Sequence, residues 1–191
     1  MEISKEQGDL VRLLDLDSDF IIDLKYAGTD NFTGQKIYAS NECYMDITTA
    51  RMLIKAKNRF KKDGYRVKIY DAYRPTDAQE KFWEVYPVDG FVARPPSQRH
   101  DDLLTQNHTN GLAVDITLTD MDGNELVMPS KFDDFTEAAF LKSHFRTEEG
   151  AKNAWYMRDV MEWAGFLAYE GEWWHFYNTT VYQKPMMNFP I

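Results

Sequence analysis

Apolar residues at helical spacing open the ordered part of the pattern: Ala50, Leu53, Ile54 and Phe60 fall near one face of the segment 46–63. Asp46 stands where a cap belongs and Gly64 follows as a stop, so the spacing predicts a helix there. The period then changes. "YRVKIYDAY" (65–73) alternates as a strand does, and "RPTDAQEKFWEVYP" follows with Thr76 and Gln79 spaced as a capping box for a short helix. Residues 86–107 are rich in proline and lack periodicity, which predicts a long irregular loop of the kind that often carries function. "GLAVDITLTD" (111–120) is the clearest strand, with Leu112, Val114, Ile116 and Leu118 on one face. Ala113, Asp115, Thr117 and Thr119 take the other face. "DMDGNELV" predicts a hairpin turn with Asp122 and Gly123 at its tip. A helix is expected from Glu148 to Ala164, capped by Thr147 and stopped at Gly165. "FLAYEGEWWHFYN" then reads as two strands bent at Gly171.

Helices before and after hairpin-linked strands predict an α+β fold: a single domain, residues 1–191, with a mostly antiparallel central sheet flanked by helices. A chain of 191 residues with 43% hydrophobic and 15% aromatic content is long enough to bury one sizeable core without cross-links. The net charge of −9 argues against nucleic acid or an anionic membrane as partner, because both call for a basic surface. The local basic run 55–68 reads as a solvated helix face.

Cys43 is the only cysteine, so an intrachain disulfide and a thiolate zinc knuckle are both excluded; a small buried hydrophobe is the expectation for it. "MEISKEQGDLVRLL" lacks the basic start and apolar core of a signal peptide, and no window approaches a membrane span. A cytoplasmic protein is expected, or a periplasmic or exported one if a leader has been removed. Asn31, Asn107 and Asn178 begin N-x-T matches that are read as chance. The sequence carries no signal for oligomeric state.

The chemistry gathers in few residues. "EGEWWHFYN" holds Glu172 and His175 three apart, which suits either a zinc site with its base or an aromatic strand with a stray histidine. Asp115 interrupts an apolar strand; it is either a surface position or a buried carboxylate that needs a partner or a metal. With His108 these residues form two imidazoles and one carboxylate, the donor set of a catalytic zinc with an open position. Glu172 then suits a general base close to the metal but not on it. On a regular strand Glu172 and His175 would face opposite sides, so a bend near Gly171 to Trp173 is required, with His175 on the strand and Glu172 on the turn. Arg74, at the exit of the 65–73 strand, is placed to stabilise an oxyanion or else to pair with Asp71 or Asp77 on the surface. His100 and His144 are expected to be solvated or structural.

"HTNGLAVD" with downstream "EWWHF" and upstream "YDAYRP" resembles the zinc D-alanyl-D-alanine dipeptidases of the vancomycin-resistance type. These belong to a group that includes D,D-carboxypeptidases and the hedgehog signalling domain. "DLKYAGTDNFTG", "FDDF" and "MNFP" resemble the dipeptidase branch in particular. The resemblance implies one zinc per chain on His108, Asp115 and His175, with Glu172 as base and Arg74 as stabiliser of the transition state. It implies a small dipeptide substrate whose ammonium is received by Asp133, with Asp134 as rival. Relatives carry Ser where this chain has Gln106, which bears on how the substrate carboxylate is held. The expected reaction is hydrolysis of D-alanyl-D-alanine or a close D,D-dipeptide. The alternatives are a D,D-carboxypeptidase or endopeptidase acting on longer wall peptides, a zinc-bearing binding domain without catalysis, and a non-haem iron oxygenase.

Overall fold

The computed structural model describes residues 10–99, 103–104, 106–142, 147–181 and 183–191. The chain enters through β1 (Leu10–Arg12), the single turn α1 (Leu13–Leu16) and the short strand β2 (Ile21–Ile22), and β3 (Tyr44–Asp46) returns to pair antiparallel with β1. Asp46 then starts α2 (Ile47–Lys62), its side chain accepting the Thr48 N–H at 2.7 Å. Ala50, Leu53, Ala56 and Phe60 on that helix are fully buried, as their spacing requires. Lys55, Arg59, Lys61 and Lys62 of the basic run are solvated on this helix, whereas Arg66 and Lys68 lie beyond it and are half-buried. Lys57 turns inward and meets Asp17 at 2.7 Å, so a charge is buried only because a partner comes with it.

β4 (Arg66–Asp71) leads into α3 (Thr76–Val85). The helix begins where predicted, but no side chain caps it and Pro75 holds the N-cap position. Gln79, expected in a capping box, is drawn to other partners. The loop beyond contains β5 (Leu103–Leu104), which pairs with the late strand β9 (Lys184–Pro185). β6 (Ala113–Thr119) is buried along its whole length, and its chain turns at Gly123 into a single bridge between Thr119 and Glu125. α4 (Glu148–Ala164) is capped by Thr147 and ended by Gly165 at φ 114°, then β7 (Phe166–Ala168) and β8 (His175–Asn178) form the expected antiparallel pair.

The five-stranded sheet runs β2-β4-β6-β8-β7, antiparallel except where β2 joins β4 in parallel. This is the α+β arrangement with a mostly antiparallel sheet. One face of β6 (Val114, Ile116, Leu118) joins the core with Leu53, Phe60, Met157 and Met161 of the two long helices. The other face was expected to be solvated or to hold a partnered carboxylate, and it is covered, with Phe132 packed between Tyr70 and Trp174 nearby. Asp115 and Thr117 are therefore buried rather than exposed. Cys43 is buried as a small hydrophobe, and burial pushes its thiol well above the usual range. Among the described residues no helix is long and apolar enough to cross a membrane.

Gly111 is required both by its backbone angle and by its surroundings. Gly111 turns the chain into β6 at φ 74°, and a Cβ there would sit 2.7 Å from Leu10 Cδ2 and 2.8 Å from the Asp46 backbone nitrogen. Gly111→Ala is predicted to lower stability by about 2 kcal/mol or more, through the strained φ and the forced separation of β3 from β6. Urea denaturation of the two proteins measures it.

Candidate metal and catalytic site

Three neighbouring strands place three polar residues in one row across the sheet: Asp71 on β4 opposes Asp115 on β6, and Asp115 opposes His175 on β8. A bulge makes this row possible. Ile69 pairs with Ile116, yet the next pairing is Asp71 with Asp115, so Tyr70 is the extra residue. Without it Asp71 would meet Val114. His108 comes from a 3-10 turn, His108–Asn110, just before β6. Asn107 and Asn110 cap that turn reciprocally, which fixes the imidazole at the head of the row.

His108 Nε2 lies 3.1 Å from His175 Nδ1 and 3.3 Å from Asp115 Oδ2, and His175 Nδ1 lies 2.9 Å from Asp115 Oδ1. His108 Nδ1 is 2.6 Å from the Ala72 carbonyl. A carbonyl only accepts, so Nδ1 carries the proton and Nε2 presents a lone pair to the group. Despite its 2.9 Å approach to His175 Nδ1, the buried Asp115 Oδ1 makes no hydrogen bond of good geometry. Three donors thus converge, two imidazoles and a carboxylate, with an acceptor left over. A tetrahedral zinc with ligands at about 2.0–2.2 Å separates its donors by about 3.3–3.6 Å, within a few tenths of these spacings. His108, Asp115 and His175 are the group that can hold a metal ion among the described residues.

Glu172 sits on the tight turn before β8, with its N–H toward the Tyr169 carbonyl and its own carbonyl accepting the His175 N–H at 3.3 Å. This is the bend that the sequence requires, and it brings the Glu172 carboxylate to 3.7 Å from His175 Nδ1. The two carboxylates differ in character. Burial by itself would raise Asp115, but the neighbouring His108 and His175 imidazoles outweigh it and hold the carboxyl well below the usual range. Burial pushes Glu172 up to about 8, with His175 pulling the other way.

Arg74 is not a surface arginine. It is buried, and its pairing with Asp71 is part of the site: Nε and Nη2 donate to Asp71 Oδ2 at 3.0 and 2.6 Å. Nη1 donates to Gln79 Oε1 at 2.8 Å, and the guanidinium lies 4.6 Å over the Phe82 ring. Tyr38 OH and the Ala72 N–H also donate to Asp71, so this fully buried carboxylate is satisfied on both sides.

These groups open onto a cavity of about 260 Å³. Arg74, His108, Asp115, Asp133, Glu172 and His175 form its polar floor, and Tyr26, Phe32, Phe82, Phe91, Phe135 and Trp174 its aromatic walls. Asp133 reaches the cavity from a left-handed backbone position, φ 56°, where Tyr26 OH meets its two oxygens at 3.1 Å each. Burial, reinforced by the charge of Asp115, pushes Asp133 up to about 7. The rival Asp134 accepts the Thr136 hydroxyl instead, outside the cavity wall. Gln106 donates to the Val181 carbonyl at 2.6 Å, and its neighbour Asn107 takes the place in the wall. His100 and His144 lie outside the described residues. Sequence reasoning did not single out Asn107, Tyr169 or Tyr177, which also line the cavity. Tyr26 and Phe32 were visible in it only as parts of "DLKYAGTDNFTG".

A family model described as D-ala-D-ala dipeptidase matches residues 6–191. The chain is 33% identical over 168 residues to a D-alanyl-D-alanine dipeptidase of Escherichia coli (strain K12), covering 88% of this chain and 83% of that one. It is 32% identical over 184 residues to a D-alanyl-D-alanine dipeptidase of Enterococcus faecium, covering 88% and 91%. A third, from Streptomyces coelicolor, is 27% identical over 208 residues, covering 96% and 98%.

The Asp71–Arg74 pair carries its own prediction. Asp71→Ala leaves a buried guanidinium without its counter-charge and is expected to cost about 3–5 kcal/mol, whereas Asp71→Asn keeps an acceptor and costs less. Equal losses in the two variants, read by urea denaturation, would contradict the electrostatic account.

Proposed function

The chain belongs to the D-Ala-D-Ala dipeptidase family of peptidases, and from that premise we propose that it hydrolyses D-alanyl-D-alanine or a close D,D-dipeptide with one zinc ion per chain. The observation that carries the reading is the meeting of four functions in one small cavity. The His108, Asp115 and His175 donors, the Glu172 carboxylate, the Arg74 guanidinium and the Asp133 carboxylate all face the same space.

Zinc, when bound by those three donors, supplies a Lewis acid and lowers the pKa of water to about 7. The rest is done by side chains. Glu172 takes a proton from the water that attacks the peptide carbonyl and delivers it to the departing amine. A carboxylate already raised by burial suits both halves of that task. Arg74 has five N–H groups by its chemistry; those not spent on Asp71 and Gln79 donate to the oxyanion as it forms. Asp133, with Tyr26 beside it, pairs with the substrate ammonium. The free amine thereby becomes a requirement, because an acylated amine would leave that carboxylate uncompensated.

Metal analysis of the purified protein is expected to find one zinc per chain, lost in His108→Ala, Asp115→Ala and His175→Ala alike. Full zinc occupancy in His175→Ala would remove the assignment. Glu172→Gln should keep the ion and lose turnover by about 100- to 10,000-fold.

Substrate class is tested with a panel of D,D-, L,D- and L,L-dipeptides, N-acetyl-D-Ala-D-Ala and a D-Ala-terminated tripeptide. D-Ala-D-Ala is expected to be cleaved at least about 100-fold more efficiently than its N-acetyl derivative, in keeping with the loss of one buried charge pair. Comparable cleavage of the acetylated or longer substrate would move the protein to carboxypeptidase action.

A further inference from the structure

Gln79 was singled out as half of a capping box, a role it does not play. Its side chain, on α3 and only 1% exposed, makes two hydrogen bonds that no helix cap needs. Oε1 accepts from Arg74 Nη1 at 2.8 Å, and Nε2 donates to the Ala93 carbonyl at 2.7 Å. The primary amide satisfies both ends, one atom for each. A guanidinium has donors alone and a carbonyl is an acceptor alone, so the group between them must offer one of each. Glutamate would set an acceptor against Ala93, and leucine would leave both partners bare.

The far partner matters because of where it lies. Gly90, Phe91, Val92 and Ala93 form one wall of the cavity that holds Arg74. Side-chain hydrogen bonds reach this wall from the body of the protein at two described points: Tyr169 OH to the Gly90 carbonyl at 3.3 Å, and Gln79 to Ala93. The second is shorter and comes from a fully buried group.

We propose that Gln79 is a positioning residue that sets the aim of Arg74 and the closure of the 90–93 wall as one unit. Asp71 fixes the Nε edge of the guanidinium, and Gln79 fixes the Nη1 edge. With both held, the remaining N–H groups keep one direction into the cavity. A wall displaced from Ala93 pulls on the same amide that orients the arginine. Gln79 acts through Arg74 and does not itself touch substrate. The inference rests on the reading of Arg74 as the oxyanion donor.

The test compares Gln79→Leu, Gln79→Glu and the double variant Arg74→Ala/Gln79→Leu on D-Ala-D-Ala. It is paired with hydrogen exchange of the peptide spanning 88–94 and a melting curve for each protein. Gln79→Leu is expected to lower kcat by about tenfold or more and to raise KM by about threefold or more. Gln79→Glu, which keeps the acceptor for Arg74, should recover most of kcat while KM stays raised. In the Arg74→Ala background Gln79→Leu should cost no further kcat. Exchange over 88–94 should quicken in both single variants while that of α2 and α4 does not.

Multiplicative kcat losses in the double variant would overturn the proposal, leaving only a general structural role. Unaltered exchange over 88–94 would overturn it as well. Should Gln79→Leu fail to fold, Gln79→Glu still decides through its split of KM from kcat and its exchange. If the unmodified protein cleaves no dipeptide but the exchange result holds, the substrate reading fails while the link between Gln79 and the wall stands.

Discussion

Three carboxylates, Asp115, Asp133 and Glu172, line one cavity largely out of water, a fourth, Asp71, is buried against Arg74, and that arginine is the permanent cation set among them. That surplus of negative charge constrains everything near it. Each acid is stabilised differently, and each solution leaves its mark. Asp71 is neutralised by the guanidinium and by two further donors. Asp115 is held ionised by two imidazoles, while Asp133 and Glu172 are pushed upward by burial. A group of groups so arranged favours positive charge from outside, and our reading gives it two sources. One is a divalent cation between the imidazoles and Asp115, the other a substrate ammonium at Asp133.

The sheet is what makes such a concentration affordable in structural terms. Asp71, Asp115 and His175 come from strands far apart in sequence, yet they form a single row across β4, β6 and β8. The opposite face of the same strands is packed with Val114, Ile116 and Leu118 against the long helices. Apolar packing on one side therefore holds the polar row on the other. A slip of one residue on β4 would replace Asp71 by Tyr70, and the bulge at that point sets the register locally. The cost of displacing any of these acids is then shared with the core.

Much of this was legible in the chain and some was not, for physical reasons. The helices α2 and α4 were readable because caps, apolar spacing and terminal glycines agreed over more than four turns. The bend before His175 followed from a contradiction: residues three apart cannot share a face of a flat strand. By contrast, Asp115 could not be separated from a surface position by its own pattern. The residues that share its cavity, Glu172, Trp174 and His175 among them, come from distant segments, which alternation along β6 does not report. Arg74 was expected to face either the site or Asp71, and it does both. Gln79 looked like a cap because Thr76 precedes it by three residues. A helix that starts on Pro75 does not use that box, and the buried guanidinium next to it is a stronger claimant for the amide oxygen.

Asp115 and Glu172 differ in environment where they do not differ in residue type, and our reading rests their separate roles on that contrast. Both are acids beside His175, at 2.9 and 3.7 Å from the same nitrogen. Strand pairing sets Asp115 beside His175, and the turn before β6 brings His108 to its other oxygen, so its affinity for a proton is low. Glu172 rides on the turn, next to one imidazole only, and burial makes its charged form less favourable. A proton carrier must be able to hold the proton it takes; burial favours that at Glu172, while the two imidazoles oppose it at Asp115. A metal ligand must stay ionised, for which the order reverses. In our reading of the site, these two environments suit Asp115 to the ligand and Glu172 to the base of the proposed hydrolysis.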